Sequence, residues 1–399
     1  MASMSQRKKA YVCGRRTEIV SIATALYITN VGMMLIGLQI FFAGKVSDTH
    51  IALLSTIYWV PVVVLSPVWG SICDITERRR DIAITTLILV STLTLLHYIY
   101  TDYYQIAVLR AVTGAVSAAY APAAQSYITS SRSDFGRKLA AYNMSVALGF
   151  LLSAYIVSIC MILFEARTLF AIASLPPILS AVLLLLLGGD RVKGSKIRAG
   201  RILGSVLALL VVRRLPLRAR VLYVGLILRY VAIMGLFSIA FVYMLRVGIG
   251  AEILGVLFSL NHIAQLVLIP VFGVLADRVG RKKIYVPGFL LSALVPLIFV
   301  SASSALMFAA VFLVLGISYS LLISGINPYL RDIAPEGMEA ETLSILSTSR
   351  GLGMILGPIV VGVTISAAPY GLVFIVLSIF AAIAFFFSLL SEETCRGCA

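Results

Sequence analysis

The chain has 399 residues, of which 60% are hydrophobic and only 12% are charged, and its mean hydropathy is +1.03. This composition leaves too little polar surface to cover a water-soluble globule, so it excludes a soluble enzyme and predicts a polytopic membrane protein. The formal net charge of +15 is accompanied by no basic domain interleaved with aromatic residues, so we expect no nucleic-acid binding.

Apolar runs of about 20 residues, separated by charged or turn-rich breaks, predict the transmembrane helices. The first run follows a basic N-terminus and lacks an A-x-A-like cleavage site before its end, so we interpret it as a retained helix and not a secretory signal. Twelve spans are predicted: Thr17 to Ala43, Ile51 to Cys73, Ile82 to Tyr100, Gln105 to Ile128, Leu139 to Phe164, Thr168 to Leu187, Val221 to Leu245, Ile253 to Ala276, Ile284 to Ser301, Ala305 to Leu330, Leu343 to Ala367 and Gly371 to Leu390.

The distribution of Lys and Arg predicts the orientation of these spans. Only Lys45, Arg167 and Arg246 are assigned to the odd-numbered loops, and Arg110 and Arg229 are assigned to span interiors. All other bases are assigned to the N-terminus, the even-numbered loops and the C-terminal tail. By the positive-inside rule, both termini are expected to be cytoplasmic.

The longest break between spans divides the chain into two halves of six spans. Residues 188–220 carry nine bases around a short apolar piece, Ile202 to Val212, which is expected to lie on an anionic membrane surface. The predicted organisation is an N-terminal bundle of residues 1–187, a cytoplasmic basic linker of residues 188–220 and a C-terminal bundle of residues 221–399.

The two halves share a loop motif. GSICDITERRR occupies Gly70 to Arg80 after span 2, and GVLADRVGRKK occupies Gly273 to Lys283 after span 8. Each copy places a glycine four residues before an aspartate and a basic run four residues after it. Internal repeats of this kind are found in membrane transporters.

The second copy matches the G-x-x-x-D-R-x-G-R-K motif in full, and the chain therefore resembles the major facilitator superfamily of secondary transporters. The first copy is degraded, with Ile75 and Glu77 where that family has a base and a glycine. Arg110 and Gly114 are similar to the R-x-x-x-G motif of the family's proton-coupled exporters. The resemblance implies an all-α membrane protein with twelve transmembrane helices in two six-helix bundles related by pseudo-two-fold symmetry.

The resemblance also implies that the motif residues control gating. We expect Asp277 to pair with Arg281 and to face the positive end of a neighbouring helix, as a latch that is made in one conformation and broken in another. The motif glycines are expected to let two helices approach closely. An alternative is that the bases only enforce topology. The candidate gating residues are Gly70, Asp74, Arg78, Gly273, Asp277, Arg278, Gly280, Arg281 and Asp332.

Ionisable and polar residues inside the spans predict a substrate pathway, because such residues are costly in a bilayer. Arg110 and Arg229 are each expected to lie roughly 9 to 14 Å deep, at about 1.5 Å per residue, and together they favour an anionic substrate. Each can instead snorkel or bind backbone carbonyls. The candidate substrate-binding residues are Arg110, Arg229, Asn30, Gln125, Asn261, His262, Gln265 and Asn327.

Acidic residues are predicted only near span ends, at Glu18, Glu165 and Glu252, so proton coupling falls on His262, on Glu18 or on the substrate itself. The first function that we predict is alternating-access export of a small organic or amphipathic compound. The second is uptake, exchange or facilitated diffusion of a small organic anion, and a non-transporting membrane sensor is a third. We expect a monomer in the cell membrane, with no enzyme activity, metal or cofactor.

Overall fold

The computed structural model describes residues 2–129, 135–187, 217–334 and 339–394. Every regular element in these ranges is an α-helix, and twelve segments are long and apolar enough to cross a membrane, which confirms the predicted fold class. Their large apolar side chains remain exposed on the outside, as in Leu306, which is 81% exposed. Such surfaces are stable against lipid and not against water.

Ten spans are single helices, and spans 4 and 6 are each built from two. The helices are Ala2–Phe42 (span 1), Asp48–Thr76 (span 2), Arg79–Ile99 (span 3), Tyr103–Ser117 and Tyr120–Thr129 (span 4), Phe135–Leu163 (span 5), Thr168–Ala173 and Leu175–Leu185 (span 6), Leu217–Arg246 (span 7), Ala251–Val279 (span 8), Arg281–Ser301 (span 9), Ala305–Asp332 (span 10), Glu339–Ala367 (span 11) and Tyr370–Leu389 (span 12).

The chain divides into two compact units. The first contains Met1–Gly37 and Val60–Arg201, and the second contains Leu38–Trp59 and Ile202–Ala399. A segment from the N-terminal half of the sequence therefore belongs to the second unit. The predicted linker, residues 188–220, lies outside the described residues except at its end, where residues 217–220 begin span 7.

In the first unit, prolines break spans 4 and 6, and side chains replace the lost hydrogen bonds. Pro122 has no N–H for the carbonyl of Ala118, and the Ser66 hydroxyl donates to that carbonyl instead, at 3.3 Å. Pro177 likewise leaves the carbonyl of Ala173 to the Asn30 amide, at 2.7 Å. Both breaks are thus satisfied inside the protein, as the hydrocarbon of a bilayer requires.

In the second unit, spans 7 and 11 pack through glycines, as the G-x-x-x-G of Gly353 and Gly357 predicts. A methyl group on Gly353 would come within 2.5 Å of the Tyr230 backbone, and one on Gly357 within 2.5 Å of Gly235. The residue numbers of the contacting pairs increase together along both helices, so the two spans run in the same direction.

The close helix contact predicted at the motif glycines is wrong for this structure. Among the described residues, a methyl group on Gly273 would meet nothing within 4 Å, and one on Gly70 would make only an ordinary contact with Pro122 at 3.9 Å. The physical reason is that both glycines lie on partly exposed helix faces and not at the tight helix crossings.

A different motif glycine has a backbone function. Gly280 is the single residue between spans 8 and 9 and has a φ of +120°, a conformation that side chains rarely adopt. The equivalent position of the first copy is Glu77, the one non-glycine with positive φ among the described residues, at +56°. The degraded copy therefore retains the turn while carrying a strained residue.

We expect Glu77→Gly to stabilise the protein, because a side chain in the left-handed region costs about 1–2 kcal/mol. The greater conformational freedom of glycine in the unfolded chain cancels about half of this gain. The midpoint of thermal unfolding in detergent should rise by about 1–3 °C. Glu77→Ala, which removes the same charge but keeps a Cβ, should give no such rise. Equal midpoints for the two variants would contradict strain at this position.

Candidate functional site

A charge network surrounds the loop between spans 8 and 9. The Nη1 atom of Arg281 lies 3.0 Å from an Asp277 carboxylate oxygen, and its Nε atom lies 2.6 Å from Asp332. The predicted pairing of Asp277 with Arg281 is therefore present, and one guanidinium connects the ends of spans 8, 9 and 10. Whether the network controls gating stays a prediction.

The N-terminal end of span 9 binds a different carboxylate, which belongs to the segment after span 12. Glu393 accepts hydrogen bonds from the backbone N–H groups of Arg281, at 2.9 Å, and Lys282, at 3.1 Å. Around it, Thr394 donates to Asp332 at 3.1 Å, and the Lys282 ammonium donates to the carbonyl of Leu389 at 2.9 Å. Residues Ser391–Thr394, here called the C-terminal clamp, thus hold the motif loop.

The charge of Glu393 is set by these contacts. Partial burial on its own raises the pKa of the carboxyl, but backbone N–H donors from Lys282, Thr394, Arg281 and Lys283 outweigh it and hold the pKa below its ordinary value. The unpaired N–H groups at the start of a helix are good ligands for an anion, so the clamp is strongest when Glu393 is ionised.

The first motif copy also binds helix ends, through its bases. Arg80 donates to the carbonyls of Leu184 and Leu185, both at 2.9 Å, in the last turn of span 6. Arg79 donates to the carbonyl of Ser126 in span 4 at 3.2 Å. Arg78 is the residue preceding span 3. The side chain of Asp74 is outside the described part of the chain.

The predicted substrate-binding residues with amide or imidazole side chains differ in burial and in their contacts. Asn30 is buried and donates to Thr94 as well as to the Ala173 carbonyl, so both of its N–H groups hold the helices together. In span 8, the Gln265 amide donates to Asn261 at 3.1 Å, and the buried His262 packs edge-on against Phe258. Gln125 is exposed and Asn327 is half-buried. Their contact with a substrate stays a prediction.

The two predicted arginines are both buried. Arg110 lies in span 4 of the first unit, with the buried Gly114 one turn later. Arg229 lies in span 7 of the second unit and is fully buried, with its Nε donating to the Ser292 hydroxyl at 3.0 Å. Since they belong to different units, their sharing of one cavity stays a prediction.

Sequence reasoning misplaced a third arginine. Arg350 was counted with the bases of the even-numbered loops, but the structure places it inside the membrane-crossing part of span 11, Ile345–Ala367. A span with few charges stays apolar on average when it contains one arginine. Hydropathy alone therefore does not show whether Arg350 lies in the loop or inside span 11. Its overlap with the predicted span 11 was the available signal.

A polar cluster at the start of span 2 was also missed. Asp48 lies 2.8 Å from Arg246 at the end of span 7 and accepts a hydrogen bond from the Tyr370 hydroxyl of span 12 at 2.6 Å. Nearby, the Gln39 amide binds both Phe237 O and Phe241 N, at 2.7 and 3.1 Å. All of these residues belong to the second unit. From the sequence, Arg246 was assigned only to an odd-numbered loop, with no partner.

Twelve spans, two units and a repeated charged loop define a multi-pass membrane transporter, and comparisons with known proteins agree. The Major Facilitator Superfamily model matches residues 20–260 and 222–394, so the chain belongs to that family. The family and fold are those of transporters and not of enzymes, and such transporters bind small-molecule substrates.

Two similar proteins can each be aligned with only part of the chain. The quinolone resistance protein NorA of Staphylococcus aureus is 29% identical over 140 residues, which are 35% of this chain and 36% of NorA. A probable peptide/nitrate transporter of Arabidopsis thaliana is 36% identical over 91 residues, 23% of this chain and 19% of that protein. The chain thus matches about a third or less of the length of these relatives.

Solved structures share the fold at low sequence identity. The nucleoside transporter NupG has a TM-score of 0.78 at 13% identity, covering 94% of this chain and 98% of NupG. A POT family transporter in complex with 5-aminolevulinic acid has a TM-score of 0.74 at 14% identity, covering 94% and 95%. These likenesses establish the architecture alone.

We expect Glu393→Gln to lower the thermal midpoint at pH 7 by about 1–2 °C, a small effect because the side chain is largely exposed. A carboxyl whose folded pKa is depressed stabilises above the unfolded value, about 4.3 for Glu, and loses this effect as the pH falls through the folded pKa. The difference between wild type and variant should therefore shrink below about pH 5, as measured by thermal unfolding in detergent. Glu392→Gln makes the same charge change one residue away, and an equal, pH-independent effect of both variants would contradict the clamp.

Proposed function

We propose that this transporter exports a small organic or amphipathic compound across the cell membrane by alternating access, with both termini cytoplasmic and with the monomer as the working unit. The observation that carries the proposal is the buried Arg110, one helical turn before the buried Gly114 in span 4. Partial similarity to a quinolone resistance protein supports the same reading. The excess of Lys and Arg in the even-numbered loops supports the orientation.

Uptake, exchange or facilitated diffusion of a small organic anion is the second candidate. It is favoured by the fully buried Arg229 and by the location of the acidic residues near the ends of the spans. In the described spans, carboxylates lie only within the first or last few residues, so no mid-span acid is available there to titrate. Proton coupling, where it occurs, then rests on His262, on Glu18 or on the substrate.

Alternating access requires contacts that form and break on opposite sides of the membrane. We infer that the Asp277–Arg281–Asp332 network at the motif loop is one set of such contacts and that the Asp48–Arg246 pair is another, because both are built from ion pairs with partly exposed members. With the termini cytoplasmic, the first lies on the cytoplasmic side and the second on the outer side. Ion pairs suit this purpose because water replaces them at little cost when they open.

Export is tested in bacterial cells that lack their own drug exporters, loaded with fluorescent norfloxacin or ethidium. Cells with the wild-type chain should accumulate several-fold less dye than cells with Arg110→Ala, at equal amounts of protein in the membrane. The matched control is Arg331→Gln, an exposed arginine at the end of span 10, which should export normally. Greater accumulation in wild-type cells than in empty cells would instead indicate uptake.

Gating is tested with Asp277→Asn in the same efflux assay and in proteoliposomes. We expect insertion and thermal stability to change little, because an exposed ion pair one turn apart contributes only about 0.3–0.5 kcal/mol. Efflux should fall several-fold because the latch loses one of its two carboxylates. Asp81→Asn, an exposed acid at the start of span 3, is the control. Wild-type efflux rates in Asp277→Asn would sink the gating role.

A further inference from the structure

The guanidinium of Arg229 is buried with only part of its hydrogen-bonding capacity used. Its Nε donates to Ser292, which in turn donates to the carbonyl of Gly288. The Nη1 and Nη2 atoms are buried, and no carboxylate binds them in the part of the chain that the structure describes. The two-pronged end of the group thus has no ionic partner among the described residues.

Aromatic rings lie beside this fork. The Tyr230 ring centre is 5.0 Å from the Arg229 Cζ atom, and the Tyr319 ring centre is 5.8 Å from it. Their π-electron faces attract the cation, and the Tyr230 hydroxyl also interacts with the guanidinium, but a neutral phenol does not balance its charge as a carboxylate does. Tyr319 is only half-buried, so the cluster reaches a boundary of the packed interior.

A second arginine lies next to the first. Gly353 of span 11 packs on Tyr230 of span 7, and Arg350 precedes Gly353 by three residues while Arg229 precedes Tyr230 by one. At about 1.5 Å per residue along parallel helices, the two arginines differ in height by only about 3 Å. Arg350 is half-buried, its Nε is buried with no acceptor among the described residues, and it repels Arg229 electrostatically.

No acidic residue balances this pair within the described membrane-crossing parts of spans 7, 9, 11 and 12. Two neighbouring cations in a low-dielectric interior repel each other, and each loses its hydration, so such an arrangement is costly unless an anion compensates it. The planar fork of a guanidinium matches two oxygens of a carboxylate or phosphate.

We propose that Arg229 and Arg350 form a binding site for a small organic anion, a carboxylate or phosphate ester, held within the second unit beside the packed spans 7 and 11. Arg229 binds the anionic head through Nη1 and Nη2, Arg350 adds the second charge from the accessible side, and the tyrosine rings contact the body of the ligand. The proposal rests on the transporter function proposed above and assigns the substrate class to it. Arg110, in the first unit, is not part of the site.

The test uses purified full-length protein in uncharged maltoside micelles, with three probes of matched shape: benzoate, neutral benzamide and cationic benzamidine. Thermal unfolding and calorimetric titration should show stabilisation by benzoate and none by the other two. Inorganic phosphate and succinate extend the comparison to other anions. Arg350→Gln should weaken benzoate binding about 10- to 100-fold, as expected for a lost charge-assisted hydrogen bond.

Controls separate binding from folding. Arg350→Lys keeps the charge and should retain most of the affinity, and Arg331→Gln should bind like wild type. Arg229→Gln removes a fully buried group, so its benzoate affinity is interpreted only if the variant still unfolds cooperatively. If it does not, the affinity of Arg350→Gln alone tests the proposal. Stabilisation by benzamide or benzamidine equal to that by benzoate, or unchanged benzoate affinity in Arg350→Gln, would overturn the proposal.

Two further arms distinguish this inference from the transporter function and from a lipid site. Benzoate binding that depends on Arg350, without benzoate flux in proteoliposomes, supports the anion site and counts against its role in transport. Flux of ethidium without any anion binding supports the transporter function and overturns the anion site. Stabilisation by phosphatidylglycerol nanodiscs and by none of the soluble anions assigns the arginines to a lipid headgroup and overturns a substrate role.

Discussion

Hydrocarbon cannot hydrogen-bond to a polypeptide backbone, and this constraint explains the positions of several polar side chains in the spans. Each break in a helix exposes a carbonyl that must find a donor inside the chain. Ser66 and Asn30 perform this function at the breaks before Pro122 and Pro177. The Ser91 hydroxyl also donates to the carbonyl of Ser174, the residue between the two helices of span 6, at 2.6 Å. Asn30, which the sequence analysis predicts as a substrate ligand, therefore also replaces a lost backbone hydrogen bond.

This explains which parts of the structure were predictable. Twelve spans follow from hydropathy, because each must bury about 20 apolar residues in the bilayer, and the Asp277–Arg281 pair was expected from the family motif that this loop matches. Arg350 and Glu393 were not recognised, because their importance depends on neighbours far away in sequence. A hydropathy window measures how many charges a segment has and not what lies beside them. The breaks in spans 4 and 6 were not predicted either, although Pro122, Pro176 and Pro177 marked them.

The two copies of the motif loop share some contacts and differ in others. Both copies turn through a residue with positive φ, and in both a base donates to carbonyls at the end of the last span of its own half, Arg80 in the first and Lys282 in the second. The second copy adds Gly280 in place of Glu77, and a carboxylate clamp at the following helix. In the part of the chain that the structure describes, the motif loop of the second unit is thus bound by a carboxylate as well as through its bases.

The C-terminal clamp places a practical limit on how this protein can be handled. Span 12 ends at Leu389, and Glu393, only four residues later, is bound to the backbone of span 9. An affinity tag or fluorescent fusion joined directly to Leu389 removes the acid that holds that helix, whereas one joined after Thr394 keeps it. A bulky partner at the first junction also occupies the space beside Arg281. The choice of fusion point, usually made for convenience, here decides whether the motif loop keeps its bound carboxylate.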